Sequence, residues 1–146
     1  MDGFNAPKDE VFEHRDGYEV ALKAVTCIRQ SEQVDVQNVL QLCDAIARKG
    51  HWLEPIVVER SQGIVMDGNH RLSAARRLGL TRVPCILLEY GDPRVRVHHW
   101  TSGDSFEIAH IYRTIARGEL FPYKTTRHRF TPALPTVSVP LSNLLG

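Results

Sequence analysis

No stretch of this chain constrains its fold more than residues 55–79. Two short runs rich in β-branched residues flank the turn residues Ser61-Gln62-Gly63, a pattern that favours a β-hairpin. The second run ends at Asp67-Gly68-Asn69, and the apolar spacing that follows predicts a helix from about residue 70 to Gly79. The segment therefore predicts a hairpin whose second strand turns sharply into a helix.

The rest of the chain alternates between strand-like and helix-like patterns. Residues 1–18 are polar and are interpreted as an arm or loop, and the proline-rich end of the chain is expected to be extended. Local patterns predict a strand at 19–29, a helix between Asp35 and Gly50, strands at 83–90 and 94–100, and a helix between Asp104 and Gly118.

Both outer helices carry capping signals and an apolar stripe. Asp35 suits the N-cap of the first helix and Gly50 its C-terminal stop, while Asp104 followed by Glu107 has the spacing of a capping box. The expected buried face of the first helix consists of Val36, Val39, Leu40, Cys43, Ile46 and Ala47, and that of the last of Ile108, Ile111, Tyr112 and Ile115.

Composition and charge restrict the classes of function. Lysine and arginine total 18 against 17 acidic residues, a net charge of +1. A dedicated nucleic-acid binder has a clear basic excess or a basic face. Nucleic acid is therefore not expected as a partner, although a local basic patch could form from Arg76, Arg77, Arg127, His128 and Arg129.

Cysteine usage and the N-terminus bear on the compartment. Cys27, Cys43 and Cys85 lie far apart without a Cys-x-x-Cys pair, so we expect three small buried side chains rather than disulfides or structural zinc. The N-terminus lacks the features of a signal peptide, and no apolar run approaches the roughly 20 residues that span a bilayer. We expect a cytoplasmic protein without a membrane partner, and its oligomeric state stays open.

The turn Asp67-Gly68-Asn69-His70-Arg71 carries the most chemical information. Gly68 permits a sharp turn or a close backbone approach, and the helix that follows offers free N–H groups and a positive dipole end to an anion. His70 and Arg71 add donors for phosphate oxygens, and Asp67 adds a carboxylate suited to Mg²⁺ or to proton transfer. Taken alone, the same residues also describe an ordinary capped turn with two solvated basic side chains.

Residues 51–90 resemble the core of the ParB/sulfiredoxin superfamily. Its hallmark is a D-G-x-H-R segment between a hairpin and a helix, followed by L-G and V-P. The matching residues are Asp67 to Arg71, Leu78-Gly79 and Val83-Pro84, and the similarity extends upstream to about residue 20.

The resemblance implies an α+β fold in which helices flank a small mixed sheet. It also implies an organisation in three parts. These are an N-terminal arm at 1–18, a nucleotide-binding core at 19–100, and a helix with an extended, substrate-binding C-terminal segment at 101–146.

Three branches of this superfamily differ at a few positions. Sulfiredoxins carry a nucleophilic cysteine just before the His-Arg pair, where this chain has Asn69, so sulfinic-acid reduction is disfavoured. ParB partition proteins add a helix-turn-helix domain and a dimerisation region, for which we expect no room in a chain ending at Gly146. The third branch comprises small-molecule kinases similar to free L-serine kinases, which commonly have histidine at the Asn69 position.

Two further segments resemble the kinase branch. Residues 29–35 resemble the kinase segment whose glutamate acts as catalytic base, and Glu32 occupies the matching position. Residues 118–128 resemble the P-x-K-x-T-R-H substrate segment, with Tyr123 where the family often has a second proline. The kinases also have an aromatic residue near their amino-acid pocket, a role that Trp100 could fill.

The resemblance thus implies a kinase that uses Mg²⁺ and ATP or ADP to phosphorylate the side-chain hydroxyl of a free amino acid, first of all L-serine. The implied catalytic residues are Glu32 as base and Asp67, which is also the magnesium ligand. The implied nucleotide-binding residues are Gly68, Asn69, His70 and Arg71, and the implied substrate-binding residues are Trp100, Lys124, Thr125, Thr126, Arg127 and His128.

Several alternatives stay open on the residues alone. Glu32 could complement a helix dipole, residues 124–129 could form a solvated basic loop, and Trp100 could belong to the core. His98, His99 and His110 lack a full ligand set, so we expect no metal there. A ParB-like nucleotide- or DNA-binding regulatory module without turnover is the competing function. The choice among ATP, ADP and CTP, and among serine, threonine and homoserine, is also open.

Overall fold

A mixed five-stranded sheet organises the computed structural model, which describes residues 9–146. Strand β4 pairs in parallel with β6, and the other neighbours in the sheet are antiparallel. The predicted α+β class and the predicted hairpin at 55–66 are confirmed. Across the sheet the strands run Glu10–Arg15 (β1), Tyr18–Ala24 (β2), Arg82–Leu88 (β6), Ile56–Glu59 (β4) and Val65–Asp67 (β5).

Helices and two short strand pairs surround this sheet in the described part of the chain. The helices are Val36–Lys49 (α1), Asn69–Arg77 (α2) and Ile108–Ala116 (α3), with 3-10 turns at Val25–Cys27 and Leu141–Leu144. The two pairs are His51–Trp52 (β3) with Val139–Pro140 (β9), and Val95–His99 (β7) with Thr126–Phe130 (β8).

Two hydrophobic clusters hold the elements in place. The larger lies between the main sheet and α2, where Leu72 and Ala75 are fully buried, as their spacing predicts. The smaller cluster packs α3 and β7 against Ile64 through Val97, Phe106, Ile111, Ile115 and Phe121. It ties the segment before β8 to the start of β5, which brings distant parts of the chain to the end of the hairpin.

Strand β1 corrects the prediction of an arm or loop at 1–18, since residues 10–15 pair with β2; residues 1–8 lie outside the described range. Asp16 and Gly17 form the two-residue hairpin turn, both with positive φ, at +53° and +83°. An Asp-Gly pair is a hairpin signal, but β1 is an edge strand exposed on both sides, so it lacks the alternation that marks a half-buried strand.

Helix α3 begins at Ile108 rather than at Asp104, and the predicted capping box is wrong. The chain before it pairs with β7 instead: the His99 N–H donates to the Asp104 carbonyl at 2.7 Å, and the Phe106 N–H donates to the Val97 carbonyl at 3.0 Å. Because these backbone groups already have strand partners, they are not free to open a helix. Glu107 forms an ion pair with Arg113 instead of a cap.

Helix α1 has the predicted bounds, with Asp35 accepting from two N–H groups and Gly50 in the left-handed C-cap conformation. Its predicted buried face is only partly correct, because Val39 is buried while Val36 and Leu40 are 54% and 41% exposed. The cysteines differ from expectation in a similar way. Cys85 is fully buried, whereas Cys27 and Cys43 are partly exposed.

Candidate active site

A cavity of about 380 Å³ opens where β5 turns into α2. Its walls come from segments far apart in the sequence, and they include most of the predicted site. The lining residues are Glu32, Gln33, Leu42, Glu54, Met66, Asp67, Gly68, Asn69, His70, Arg71, Trp100, Tyr123, Lys124 and Thr126.

The turn at Gly68 requires glycine. Its φ is +117°, and a Cβ there would lie 3.1 Å from Ile56 Cγ2 and 3.2 Å from Arg71 Nη2. Gly68 is the N-cap of α2 but supplies no side-chain cap, and the first helical bond runs from the Leu72 N–H to the Gly68 carbonyl at 2.9 Å. The N–H groups of Asn69 and the two residues after it thus precede that first bond, and they lie at a helix N-terminus beside the cavity, a geometry that suits an anion.

The Arg71 guanidinium builds the turn and also reaches the cavity. It donates to the carbonyls of Glu54 at 3.1 Å and Pro55 at 2.7 Å, and to Asp67 Oδ2 at 3.2 Å. A guanidinium has five N–H donors, so three are used and two are left for a ligand. The side chain of Asp67 is 51% exposed, which leaves its carboxylate accessible from the cavity.

Asn69 connects α2 to the segment that carries Glu32. Its Oδ1 accepts from the Ser31 N–H at 2.8 Å and lies 3.4 Å from the Glu32 nitrogen. Its Nδ2 donates to Ser31 Oγ at 3.1 Å. The side chain predicted to contact nucleotide is therefore directed at the neighbouring backbone, and Asn69 offers the cavity its own N–H.

His70 is held as a neutral ring. Its Nε2 accepts from the Asp35 N–H at 3.0 Å, which assigns the ring proton to Nδ1. Burial lowers the pKa of His70, and the nearby carboxylates of Asp35 and Glu32 oppose this shift. The ring of Tyr123 packs edge-on against it, with centroids 5.4 Å apart. His70 therefore offers a ligand one N–H donor rather than a full positive charge.

The carboxylate of Glu32 is gripped by the segment that leads into β8. Its Oε1 accepts from the Lys124 N–H at 3.2 Å, and its Oε2 accepts from the Thr126 N–H at 2.9 Å and the Thr126 hydroxyl at 2.6 Å. A carboxylate has about four acceptor positions, so about one is left, on Oε1. Lys124 has a φ of +59°, a strained value for a residue with a side chain, which directs its N–H at Glu32.

The other predicted substrate residues divide between the cavity and its surroundings. Trp100 is 42% exposed, and the Lys124 ammonium and the Arg127 guanidinium both lie 5.3 Å from the centre of its rings. Arg127 and Thr125 do not line the cavity, and the Thr125 hydroxyl donates to the Pro122 carbonyl. His128 lies on β8 and is half-buried outside the cavity wall, with its Nε2 3.0 Å from the Tyr90 hydroxyl.

Sequence reasoning missed five residues of the cavity wall: Gln33, Leu42, Glu54, Met66 and Tyr123. Leu42 lies on α1 between expected core positions, and Glu54 lies in an irregular link, so neither had a local signal. Tyr123 stood out only as a departure from the kinase segment. Its place against His70 gives that departure a structural role.

A second cavity, of about 310 Å³, adjoins the first and shares Leu42, Glu54 and Arg71 with it. Its remaining wall is largely apolar and comes from α1, the β3 region and the segment before β9. That wall consists of Ala45, Ile46, Lys49, His51, Trp52, Leu53, Thr136 and Val137. The two cavities together offer a polar chamber joined to an apolar one.

The described residues also bear on metal binding and on membrane insertion. Within residues 9–146, no cluster of three or more His, Cys, Asp or Glu side chains is arranged to hold a metal ion. Magnesium often binds with only one or two carboxylates plus substrate phosphates, and the exposed Asp67 carboxylate fits such a role. None of the helices in the described part of the chain has the length and apolarity to cross a membrane.

Curated relatives of this chain include kinases. An ATP-dependent L-serine kinase of Desulfurococcus mucosus is 28% identical over 102 residues, which cover 67% of this chain and 40% of the relative. A ParB-like protein of Sulfolobus acidocaldarius is 36% identical over 55 residues, which cover 38% of this chain and 28% of the relative. The chain thus spans less than half the length of these relatives.

Solved structures confirm the fold. A mutant of a free serine kinase in complex with ADP superposes with a TM-score of 0.79 at 13% identity, covering 97% of this chain and 99% of that one. The C-terminally truncated SbnI of Staphylococcus aureus superposes with a TM-score of 0.73 at 14% identity, covering 86% and 88%. The model of the ParB N-terminal domain matches residues 8–102, and the chain belongs to this family.

Proposed function

We propose that this chain transfers a phosphoryl group from ATP or ADP to the side-chain hydroxyl of a free amino acid, first of all L-serine, giving O-phospho-L-serine. The observation that carries the proposal is a single cavity lined both by the α2 N-terminus and by the Glu32 carboxylate. An anion site facing a carboxylate base is what phosphoryl transfer to an alcohol requires. The named activities of the L-serine kinases among the relatives support the same reaction.

The two joined cavities suit a nucleotide. Phosphate oxygens would accept from the N–H groups at the start of α2, from the remaining Arg71 donors and from the His70 ring. The apolar cavity beside them has room for a base, and apolar walls with a few polar groups are usual for such subsites. Relatives named as ATP-dependent and as ADP-dependent L-serine kinases leave both donors as candidates.

Asp67 is the residue that would hold Mg²⁺ together with the phosphates. The ion supplies neutralisation of phosphate charge. Arg71 keeps the Asp67 carboxylate in place through its 3.2 Å ion pair. The proton transfer falls to Glu32 and the residues around it.

Glu32 would act as the base. The hydroxyl oxygen of the amino acid attacks the terminal phosphorus, a new O–P bond forms, the bond to the leaving phosphate breaks, and the hydroxyl proton passes to the carboxylate. The acceptor position left on Oε1 is the one that this hydroxyl can use. The Lys124 ammonium, above the exposed Trp100 ring, is placed to pair with the substrate carboxylate.

Nucleotides and free amino acids are metabolites of the cytoplasm, so we propose that the protein acts there.

Replacing Glu32 with glutamine tests the role of the base. Glu32→Gln should bind ADP with unchanged affinity by calorimetry and lose about 10²–10⁴-fold in turnover. Turnover is followed by phosphorus NMR with ATP or ADP, Mg²⁺ and a panel of hydroxy amino acids. Glu119→Gln changes an exposed residue outside the cavity and is the matched control.

Near-normal turnover in Glu32→Gln would remove Glu32 from the mechanism. Nucleotide binding without turnover in the wild type would favour the regulatory module instead.

A further inference from the structure

His128 belongs by its motif to the substrate segment, yet it does not line the cavity. Its ring is within hydrogen-bonding distance of the Tyr90 hydroxyl, at 3.0 Å, and stacks beside Phe130. Burial lowers its pKa to about 3, so the ring is neutral at physiological pH. This half-buried, neutral ring does not line the cavity, so it is poorly placed to pair with a substrate carboxylate there.

The pairing of β7 with β8 shows which side chains of β8 lie on the same face as His128. Thr126 lies opposite His99, and His128 lies opposite Val97. Alternate residues of a strand point to the same face, so Thr126 and His128 share one face of β8. On that face the Thr126 hydroxyl reaches Glu32, and two residues further His128 reaches Tyr90. The Thr126 N–H, which lies in the plane of the strand, also donates to Glu32.

Strand β8 lies outside the main sheet. Among the described residues its one strand partner is β7, in a two-stranded sheet separate from the main one. Tyr90, in contrast, lies two residues after the end of β6, the central strand of the main sheet. The pair of Tyr90 with His128 therefore links the strand that holds Glu32 to the main sheet.

We propose that His128 is a positioning residue, which together with Tyr90 fixes β8 so that Thr126 and the Lys124 N–H hold the Glu32 carboxylate towards the acceptor hydroxyl. The inference rests on the proposed kinase function. It reassigns Thr126 and His128 from substrate binding to the alignment of the base. Misplacement of a reacting group by about 1 Å can cost roughly 10²-fold in rate, so the loss of this link should be visible in turnover.

Steady-state kinetics separate alignment from substrate contact. Tyr90→Phe and His128→Asn should each lower kcat by roughly 10- to 100-fold, with little change in the KM for the amino acid. Thr126→Val should do the same, and Thr126→Ser should restore most of the rate because it keeps the hydroxyl that bonds Glu32. If these variants raise KM and leave kcat intact, His128 or Thr126 contacts the substrate and the proposal is overturned.

Two matched controls test whether any loss near β8 has the same effect. Tyr112→Phe removes another tyrosine hydroxyl, one that donates to Glu59 of β4 at 2.7 Å, and keeps the ring that packs edge-on against Tyr90. Arg129→Ala alters the opposite, exposed face of β8. Both should keep the wild-type kcat, although Tyr112→Phe should lose stability. An equal fall in kcat for Tyr112→Phe would show a general structural effect and contradict a specific role for His128.

Amide NMR tests the grip on Glu32 without turnover. The amide protons of Lys124 and Thr126 donate to the carboxylate, so Glu32→Gln should shift both resonances. Tyr90→Phe should shift them as well, whereas Tyr112→Phe should not. Unmoved amides in Tyr90→Phe would refute the inference even if the enzyme is active. Shifted amides in a protein that phosphorylates no hydroxy amino acid would instead refute the proposed function alone.

Discussion

Replacing Asn69 with alanine should damage both stability and turnover, because this side chain joins α2 to the segment that carries Glu32. Two of its bonds have good geometry: Oδ1 accepts from the Ser31 N–H at 2.8 Å, and Nδ2 donates to Ser31 Oγ at 3.1 Å. Ser31 is only 6% exposed, so water cannot readily replace these partners.

The expected loss of stability follows from these two bonds. Each contributes about 1 kcal/mol net, and a buried N–H left without a partner adds to the cost, so Asn69→Ala should lower the free energy of unfolding by about 2–3 kcal/mol. At roughly 2–4 °C per kcal/mol for a domain of this size, Tm should fall by roughly 4–12 °C. Turnover should also fall, because the backbone beside Glu32 loses its support.

Urea unfolding followed by circular dichroism measures this loss as a lower midpoint with an unchanged slope. Asn38→Ala is the matched control, since Asn38 is exposed on α1 and makes only a marginal 3.5 Å contact with Tyr123. It should change the free energy of unfolding by no more than about 0.5 kcal/mol. If Asn69→Ala is as stable as Asn38→Ala, the link between α2 and the Glu32 segment is not the one described above.

Three further predictions concern the apolar cavity, the strained residue and acid stability. Ala45→Trp should fill the apolar cavity and weaken ADP binding in calorimetry by more than about 10-fold, while Ala47→Trp on the same helix, outside both cavities, should bind normally. Lys124→Gly should be more stable to urea than Lys124→Ala by about 1 kcal/mol, since glycine accepts the φ of +59°; equal stability would argue against strain there. The free energy of unfolding should fall as pH drops from the ordinary histidine pKa of 6.5 towards the folded pKa of about 3 for His128, because the unfolded chain binds this proton more readily. The pKa of Glu59 is also lowered in the folded protein, so Glu59 contributes its own loss of stability at low pH in both proteins. His128→Asn should therefore show a smaller fall in the free energy of unfolding than the wild type, and an identical pH profile would rule out His128 as a source of the fall.

The turn at the centre of the site was predictable because its signals are local. Glycine is required at position 68 by its positive φ and because a Cβ there would crowd Ile56. The apolar spacing of the residues that follow predicts the helix. Strand β1 was missed although Asp16-Gly17 encodes its turn, because an exposed edge strand has no buried face to set a pattern. Helix α3 began late because 104–106 found strand partners on β7, a tertiary effect that overrides a local cap.

The Glu32 side of the site could not be derived from spacing. Its position depends on the pairing of β8 with β7 and on the bonds of Asn69 to Ser31, which join residues distant in sequence. Only the family resemblance identified Glu32 as a candidate base. The same resemblance assigned His128 to the substrate, and its ring lies on the half-buried face of β8, 3.0 Å from the Tyr90 hydroxyl.

A crystal structure with bound ADP tests the central claim most directly. We expect phosphate oxygens within hydrogen-bonding distance of the N–H groups of Asn69, His70 and Arg71, with the Glu32 carboxylate facing the terminal phosphate across the same cavity. Nucleotide bound elsewhere, or a terminal phosphate directed away from Glu32, would contradict it.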